Sequence, residues 1–159
     1  MKITIIQVGK TRQSFWQEAE QEYLKRLQPY AKISVITVKE APAPYGQNQS
    51  TRDLAKQKEG LEILKNIPKD SFTVALDEHG KTMNSPEFAR FLGKNRDFEG
   101  GNLTFIIGGT YGLSAAILAK VKLKLSFSSF TFTHEMIRTL LLEQLYRGFT
   151  ILSGKTYHY

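Results

Sequence analysis

Leu103-Thr-Phe-Ile-Ile-Gly-Gly-Thr-Tyr-Gly112 is the stretch that decides how the chain is read. Leu103, Phe105, Ile106 and Ile107 form a short apolar run of strand-forming residues. Gly108, Gly109 and Gly112 then remove Cβ from three of the next five positions. A strand that runs out into such a turn exposes bare peptide groups at the carboxyl edge of a sheet, where α/β proteins hold ligands. A tight strand-to-helix turn with positive φ accounts for the same glycines equally well.

Working outward, the flanking sequence alternates strands with helices. Residues 2–8 read as a strand closed by Gly9. Ser14 and Gln17 have capping-box spacing, and Phe15, Ala19, Tyr23 and Leu27 keep helical spacing until Pro29. Ile33, Val35, Ile36 and Val38 give a second strand, followed by a polar, Pro-containing loop over 41–49 suited to moving over a site. Ser50 and Asp53 open a second helix carrying Leu54, Leu61 and Leu64, ended by Pro68. Phe72–Leu76 is a third strand, stopped by Asp77-Glu-His-Gly80. Ser85, Pro86 and Glu87 supply a cap, a proline at the first helical position and an acid in the first turn; Phe88, Phe91 and Leu92 form that helix's apolar side.

Beyond the glycines, Ser114 caps a short helix through Ala119, and Lys120, Lys122 and Lys124 alternate with apolar residues as on one face of a strand. Ser126–Thr133 is charge-free and rich in aromatic and hydroxyl residues, so it is expected to pack on something flat or on a partner chain. The last helix runs from about His134 to Leu152 with Thr133 as its cap. Its apolar arc (Ile137, Leu140, Leu141, Leu145, Phe149, Ile151, Leu152, widened by Leu142 and Tyr146) exceeds half the circumference. Such width suggests burial by the sheet and by a second subunit. Arg138 and Gln144 fall inside the arc and need partners. Thr139, Glu143 and Arg147 line the polar face, with Glu143 and Arg147 spaced for a surface ion pair. The pattern predicts an α/β domain over 1–159, with a mainly parallel sheet and helices on both faces.

Composition limits the chemistry. The chain has 159 residues, 41% hydrophobic and 23% charged, as in a soluble globular protein. It has no cysteine, which excludes disulfides and thiolate metal sites. Without a signal-peptide core or an apolar run of spanning length, a cytoplasmic protein with no membrane partner is expected. A net charge of +7 favours polyanions, nucleic acid above all, although the cations are scattered. The glycine turn is neither a dinucleotide fingerprint nor a P-loop. The three histidines have no metal-ligand spacing, so no metal is expected. A backbone-lined turn beside an aromatic loop suits an uncharged heterocycle such as adenine better than a polyphosphate.

The ordered motifs Ile106-Ile107-Gly108-Gly109-x-x-Gly112-Leu113-Ser114, Leu125-Ser126-x-Ser128, Thr131-Phe132-Thr133-His134, Arg138-x-x-Leu141-x-Glu143-Gln144-x-Tyr146-Arg147 and Tyr157-His158 closely resemble the ribosomal large-subunit pseudouridine N3-methyltransferase family, small members of the SPOUT superfamily. The resemblance covers the whole chain. It implies a C-terminal trefoil knot and a bent S-adenosyl-L-methionine held at Leu76, Gly108, Phe127, Ser128, Ser129, Phe130, Thr131 and Phe132. It implies methylation of N3 of a pseudouridine in 23S rRNA, on the large subunit or the assembled ribosome. His158 is then the first candidate base and Glu143 the second, with Arg138 stabilising the imide anion or the fold and Tyr157 stacking on the base or ordering the tail. A homodimer is implied, each tail completing the other's site. The chain departs from the family pattern at Thr156, where proline is common, and at Tyr159, in place of a basic residue. Two other readings of the same residues are a flavodoxin-like nucleotide-binding protein and a ribosome-binding module without catalysis.

Overall fold

The computed structural model describes residues 1–42, 48–98 and 100–157. Five strands, β1 (Lys2–Val8), β2 (Lys32–Val38), β3 (Phe72–Thr82), β4 (Asn102–Ile107) and β5 (Leu123–Ser126), form one parallel sheet in the order β2-β1-β4-β3-β5. The helices are α1 (Ser14–Leu27), α2 (Gln49–Asn66), α3 (Ser85–Phe98), α4 (Ala115–Lys120) and α5 (His134–Leu152).

Period two sorts the sheet into two cores. Ile3, Ile5, Leu103, Phe105 and Ile107 face α1, α3 and α5, meeting Leu27, Phe88, Leu92, Leu141, Leu145 and Phe149. Ile6, Val8 and Ile106 face the other way, onto Ile63 of α2 and Ile117 of α4. The central strands β1 and β4 are therefore apolar on both faces, with Thr4, Gln7 and Thr104 as the polar exceptions inside them.

The caps of α4 and α5 stand where the sequence puts them: Ser114 accepts from Ile117 N and Thr133 from Met136 N. Three other starts move. In α1 the Ser14–Gln17 box does not form; Gln17 donates to Thr11 O, and the Glu135 carboxylate of α5 accepts from Arg12 N and Gln13 N. Asn48, not Ser50, caps α2. Asn84, not Ser85, caps α3, in a reciprocal box with Glu87 (2.8 Å each way). Phe15, Leu54 and Leu61, read as inward apolar positions, are exposed. The inward face of α2 is Ala55, Glu59, Gly60 and Ile63.

β3 does not stop at Asp77. Its pairing with β5 shifts register between Leu76 and Lys81 and resumes with Lys81 on Leu125 and Thr82 on Ser126. Gly80 makes this possible, because a Cβ there would lie 2.6 Å from the carbonyl carbon of Lys124. Lys120 ends α4 and β5 begins only at Leu123, so three lysines do not share a strand face. Much of the wide arc of α5 is met within the chain: Leu145 and Phe149 lie in the core formed with α1 and α3, and Tyr146 packs against Tyr23 and Tyr30. Leu140 and Ile151 of the same arc stay half-buried outside that core. Thr139, expected on the polar face, is buried. Of the 41–49 loop, residues 43–47 lie outside the described residues. No helix among the described residues is long and apolar enough to cross a membrane.

Candidate functional site

Since β4, β3 and β5 are neighbours, their carboxyl ends converge, and a cleft of about 660 Å³ opens there. Leu76, Gly108, Phe127, Ser128, Phe130, Thr131 and Phe132 all line it; Ser129, exposed, does not. The floor is the glycine turn. Gly112 N donates to Gly109 O (3.0 Å), with Gly112 at φ +80°. A Cβ on Gly108 would stand 2.7 Å from the Gly112 carbonyl carbon, so glycine is required there by the turn's own backbone rather than by a ligand alone. The aromatic loop folds over the opposite side. Phe127 meets Phe88 edge-on at 6.3 Å, while Phe130 is 78% exposed. Ser126 donates to Ser128 O and Ser128 Oγ accepts from Phe130 N, which fixes the bend between them.

Sequence reasoning missed the rest of the rim. The segment Asp77-Glu78-His79, read as a strand stop, is the bulge in β3 and faces the cleft. Thr131 donates to Glu78 at 2.7 Å, tying the aromatic loop to that bulge. Arg52 and Lys56 of α2 and Tyr111 complete the opposite rim, Arg52 lying 5.6 Å from the Tyr111 ring centre. An interruption in β3 holding two acids beside a glycine was the available signal. Among the described residues no group of three His, Cys, Asp or Glu could hold a metal.

Of the four candidate catalytic residues, the three among the described residues, Arg138, Glu143 and Tyr157, do not line the cleft. Arg138, 2% exposed, turns away to the end of β1, where Nη1 donates to Thr11 and Glu20 and Nη2 to Gly9 O. Burial lowers its pKa, against the opposing pull of Glu20. Glu143 is half-buried and bound by Arg147 (2.6 and 3.0 Å) and Gln144 (2.6 Å), a tighter enclosure than a surface pair. Tyr157 stacks edge-on against Tyr146 at 4.8 Å and lies under Arg147 at 4.9 Å. Burial and a hydrogen bond with Tyr157 push Tyr23 up to about 12. Along α5, Tyr146 lies about 14 Å past Ile137, the cleft residue, at the usual rise per residue. His158 lies outside the described residues.

A family model described as "Predicted SPOUT methyltransferase" matches residues 1–158. The chain belongs to the SPOUT methyltransferase family. It is 44% identical over 158 residues to "Ribosomal RNA large subunit methyltransferase H" of Carboxydothermus hydrogenoformans, covering 99% of both chains. It is 45% identical over 159 residues to the protein of the same name from Clostridium kluyveri, again covering 99% of each. A solved structure, a probable methylase family protein from Haemophilus influenzae Rd KW20, is similar with a TM-score of 0.55 at 14% identity, over 99% of this chain and 70% of that one. That likeness concerns the fold alone.

SPOUT methyltransferases use S-adenosylmethionine, and the donor set suits it. Leu76, Ile107, Leu113 and Phe132 give apolar walls for an adenine, and the glycine turn presents peptide groups without side chains. Asp77 and Glu78 on one rim suit an ammonium and a sulfonium, and Arg52 and Lys56 on the other suit a carboxylate.

Proposed function

We propose that this SPOUT chain acts as a single domain that methylates large-subunit ribosomal RNA, at N3 of a pseudouridine in 23S rRNA. The observation that carries the reading is the cleft itself: bare peptide groups, apolar walls and opposed charges at one sheet edge, in a chain of this family. A net charge of +7 favours a polyanionic substrate.

S-adenosylmethionine supplies an electrophilic methyl group when bound. Leu76, Gly108, Phe127, Ser128, Ser129, Phe130, Thr131 and Phe132 hold and orient it, Ser129 through the loop it belongs to. The N3 position bears a proton, so the chain must also place a base and align the attacking nitrogen. Glu143 has its oxygens occupied by Arg147 and Gln144, which suits it to orienting the tail and leaves His158 as the preferred base. Tyr157, packed on Tyr146 and under Arg147, orders the tail, and Arg138, held by Thr11, Glu20 and Gly9, stabilises the fold. Because Tyr157 sits far down α5 from the cleft, the tail acts on the cleft of a second copy in a homodimer, with the C-terminal segment threaded as the family's knot.

Titration calorimetry should give micromolar affinity for S-adenosylhomocysteine and none for FMN or NAD. Radiolabelled methyl should pass to ribosomes lacking the modification. If those ribosomes take no label, the activity is wrong; if FMN binds instead, the flavodoxin-like reading replaces it.

A further inference from the structure

Tyr157 is held at its ring, its carbonyl and its hydroxyl. The ring stands edge-on to Tyr146 at 4.8 Å and lies under the Arg147 guanidinium at 4.9 Å. The carbonyl accepts from Arg147 Nη1 at 3.5 Å. Those contacts all come from α5, the helix that the tail has just left. The hydroxyl contact comes from the other end of the chain. A side-chain hydrogen bond joins Tyr157 to Tyr23 of α1, and a tyrosine side chain has only its hydroxyl to offer.

Tyr23 is itself well fixed. It is half-buried, with its ring centre 6.4 Å from that of Tyr146. Arg26, a turn further along α1, lies 5.7 Å from the Tyr23 ring centre and 5.8 Å from that of Tyr146, and Glu22 accepts from its Nε at 2.7 Å. The helix that carries Tyr23 is tied to the start of α5, where Glu135 accepts from Arg12 N and Gln13 N and Arg138 pairs with Glu20. Packing on Tyr146 and Arg26 uses only the ring of Tyr23; the hydroxyl is spent on the tail. A ring contact or a cation over a ring tolerates sliding, whereas a hydroxyl pair holds its distance within a few tenths of an ångström.

We propose that Tyr23 is a positioning residue for methyl transfer: its hydroxyl bond to Tyr157 sets the point from which the tail carries His158 to the substrate. The proposal rests on the methyl-transfer reading above, in which His158 is the base. His158 follows Tyr157 directly, and consecutive Cα atoms are about 3.8 Å apart, so fixing the first confines the second. The role is the same whichever copy's cleft the tail serves.

Tyr23→Phe keeps the ring and removes the hydroxyl. With ribosomes lacking the modification as substrate, it should lower kcat by about tenfold, the scale of a slight misplacement of a catalytic group, while KM for S-adenosylmethionine, S-adenosylhomocysteine affinity and Tm hold. Tyr157→Phe removes the other end of the bond and should lose as much. The double variant should lose no more than either single one, since both remove the same bond. Independently of turnover, carboxypeptidase A should release Tyr157, followed by mass, about fivefold faster from Tyr23→Phe than from wild type, as expected for one ordinary hydrogen bond. An unchanged kcat in Tyr23→Phe, a loss shared with cofactor affinity or Tm, losses that multiply in the double variant, or an unchanged release of Tyr157 overturns the proposal alone. A wild type that labels no ribosome overturns the methyl-transfer reading and this one with it.

Discussion

Glu59 carries a charge where the packing disfavours one. It is 4% exposed on the inner face of α2, and its Oε1 accepts from Ala41 N at 3.0 Å. Its Oε2 lies 3.3 Å from where a Cβ on Gly109 would stand, directly behind the glycine turn. Burial raises its pKa, the Ala41 bond pulls the other way, and neighbouring Glu40 raises it further. With the folded value above the unfolded one, the favourable contribution is complete below the unfolded pKa and is lost as pH climbs through the folded pKa. Glu59→Gln keeps an acceptor for Ala41 and removes the charge. Thermal melts should therefore show it more stable than wild type at pH 8, by roughly 2–4 °C for about 1 kcal/mol, with the gap closing toward pH 4. A gap that widens on acidification would reverse the assignment. Gly108 shows how much a single position reveals. The sequence marks it as needing no side chain, and it does. The backbone it must clear belongs to Gly112, four residues on, and that distance exists only once the turn has closed.

Helix α3 shows why element ends were harder to read than element types. Asn84 and Ser85 are adjacent and both are good caps; only the hydrogen bonds decide. Asn84 Oδ1 takes Glu87 N, while Ser85 Oγ is spent on Gln144 of α5. Asn84→Ala should cost about 1 kcal/mol, seen in urea unfolding as a midpoint lower by roughly 0.5 M with an unchanged slope. If the slope changes, the variant has altered more than a cap. Ser114 and Thr133 were legible because each stands alone just before its periodic run, without a rival at the next position. The start of α1 was not: no side chain caps it, and the N–H groups of Arg12 and Gln13 just before it go to Glu135, more than a hundred residues away. The same distinction runs through the site. Leu76, Gly108 and the aromatic loop were found from local patterns and a family resemblance. The Asp77–His79 rim was missed because a bulged strand and a turn share one vocabulary of residues.

At the scale of the molecule, the cleft and the described catalytic candidates Glu143 and Tyr157 stand apart. The cleft occupies the carboxyl edge of the sheet and the first turn of α5, where His134 and Ile137 line it. The helix is 19 residues long, about 28 Å from end to end, and the tail returns to pack Tyr157 on Tyr146 and Arg147 in its second half. Arg147 also donates to Tyr157 O, and Lys155 to the hydroxyl of Tyr30 between α1 and β2, which hold the tail on its own chain. A tail so fixed serves a cleft on another chain better than its own. In a twofold dimer each protomer offers the other the same surface, so two defects on different chains can be sorted into one intact site. Gly108→Arg should block the cleft, and truncation after Thr156 should remove the tail while sparing cofactor binding; each alone should abolish methyl transfer. Mixed in equal amounts and allowed to exchange subunits, about half the dimers would be mixed, each with one complete site, and roughly a quarter of wild-type turnover should return. If the tail serves its own cleft, the blocked chain keeps its tail beside a ruined site and the truncated chain keeps a cleft without one. Mixing then restores nothing, and that result would place catalysis within a single protomer.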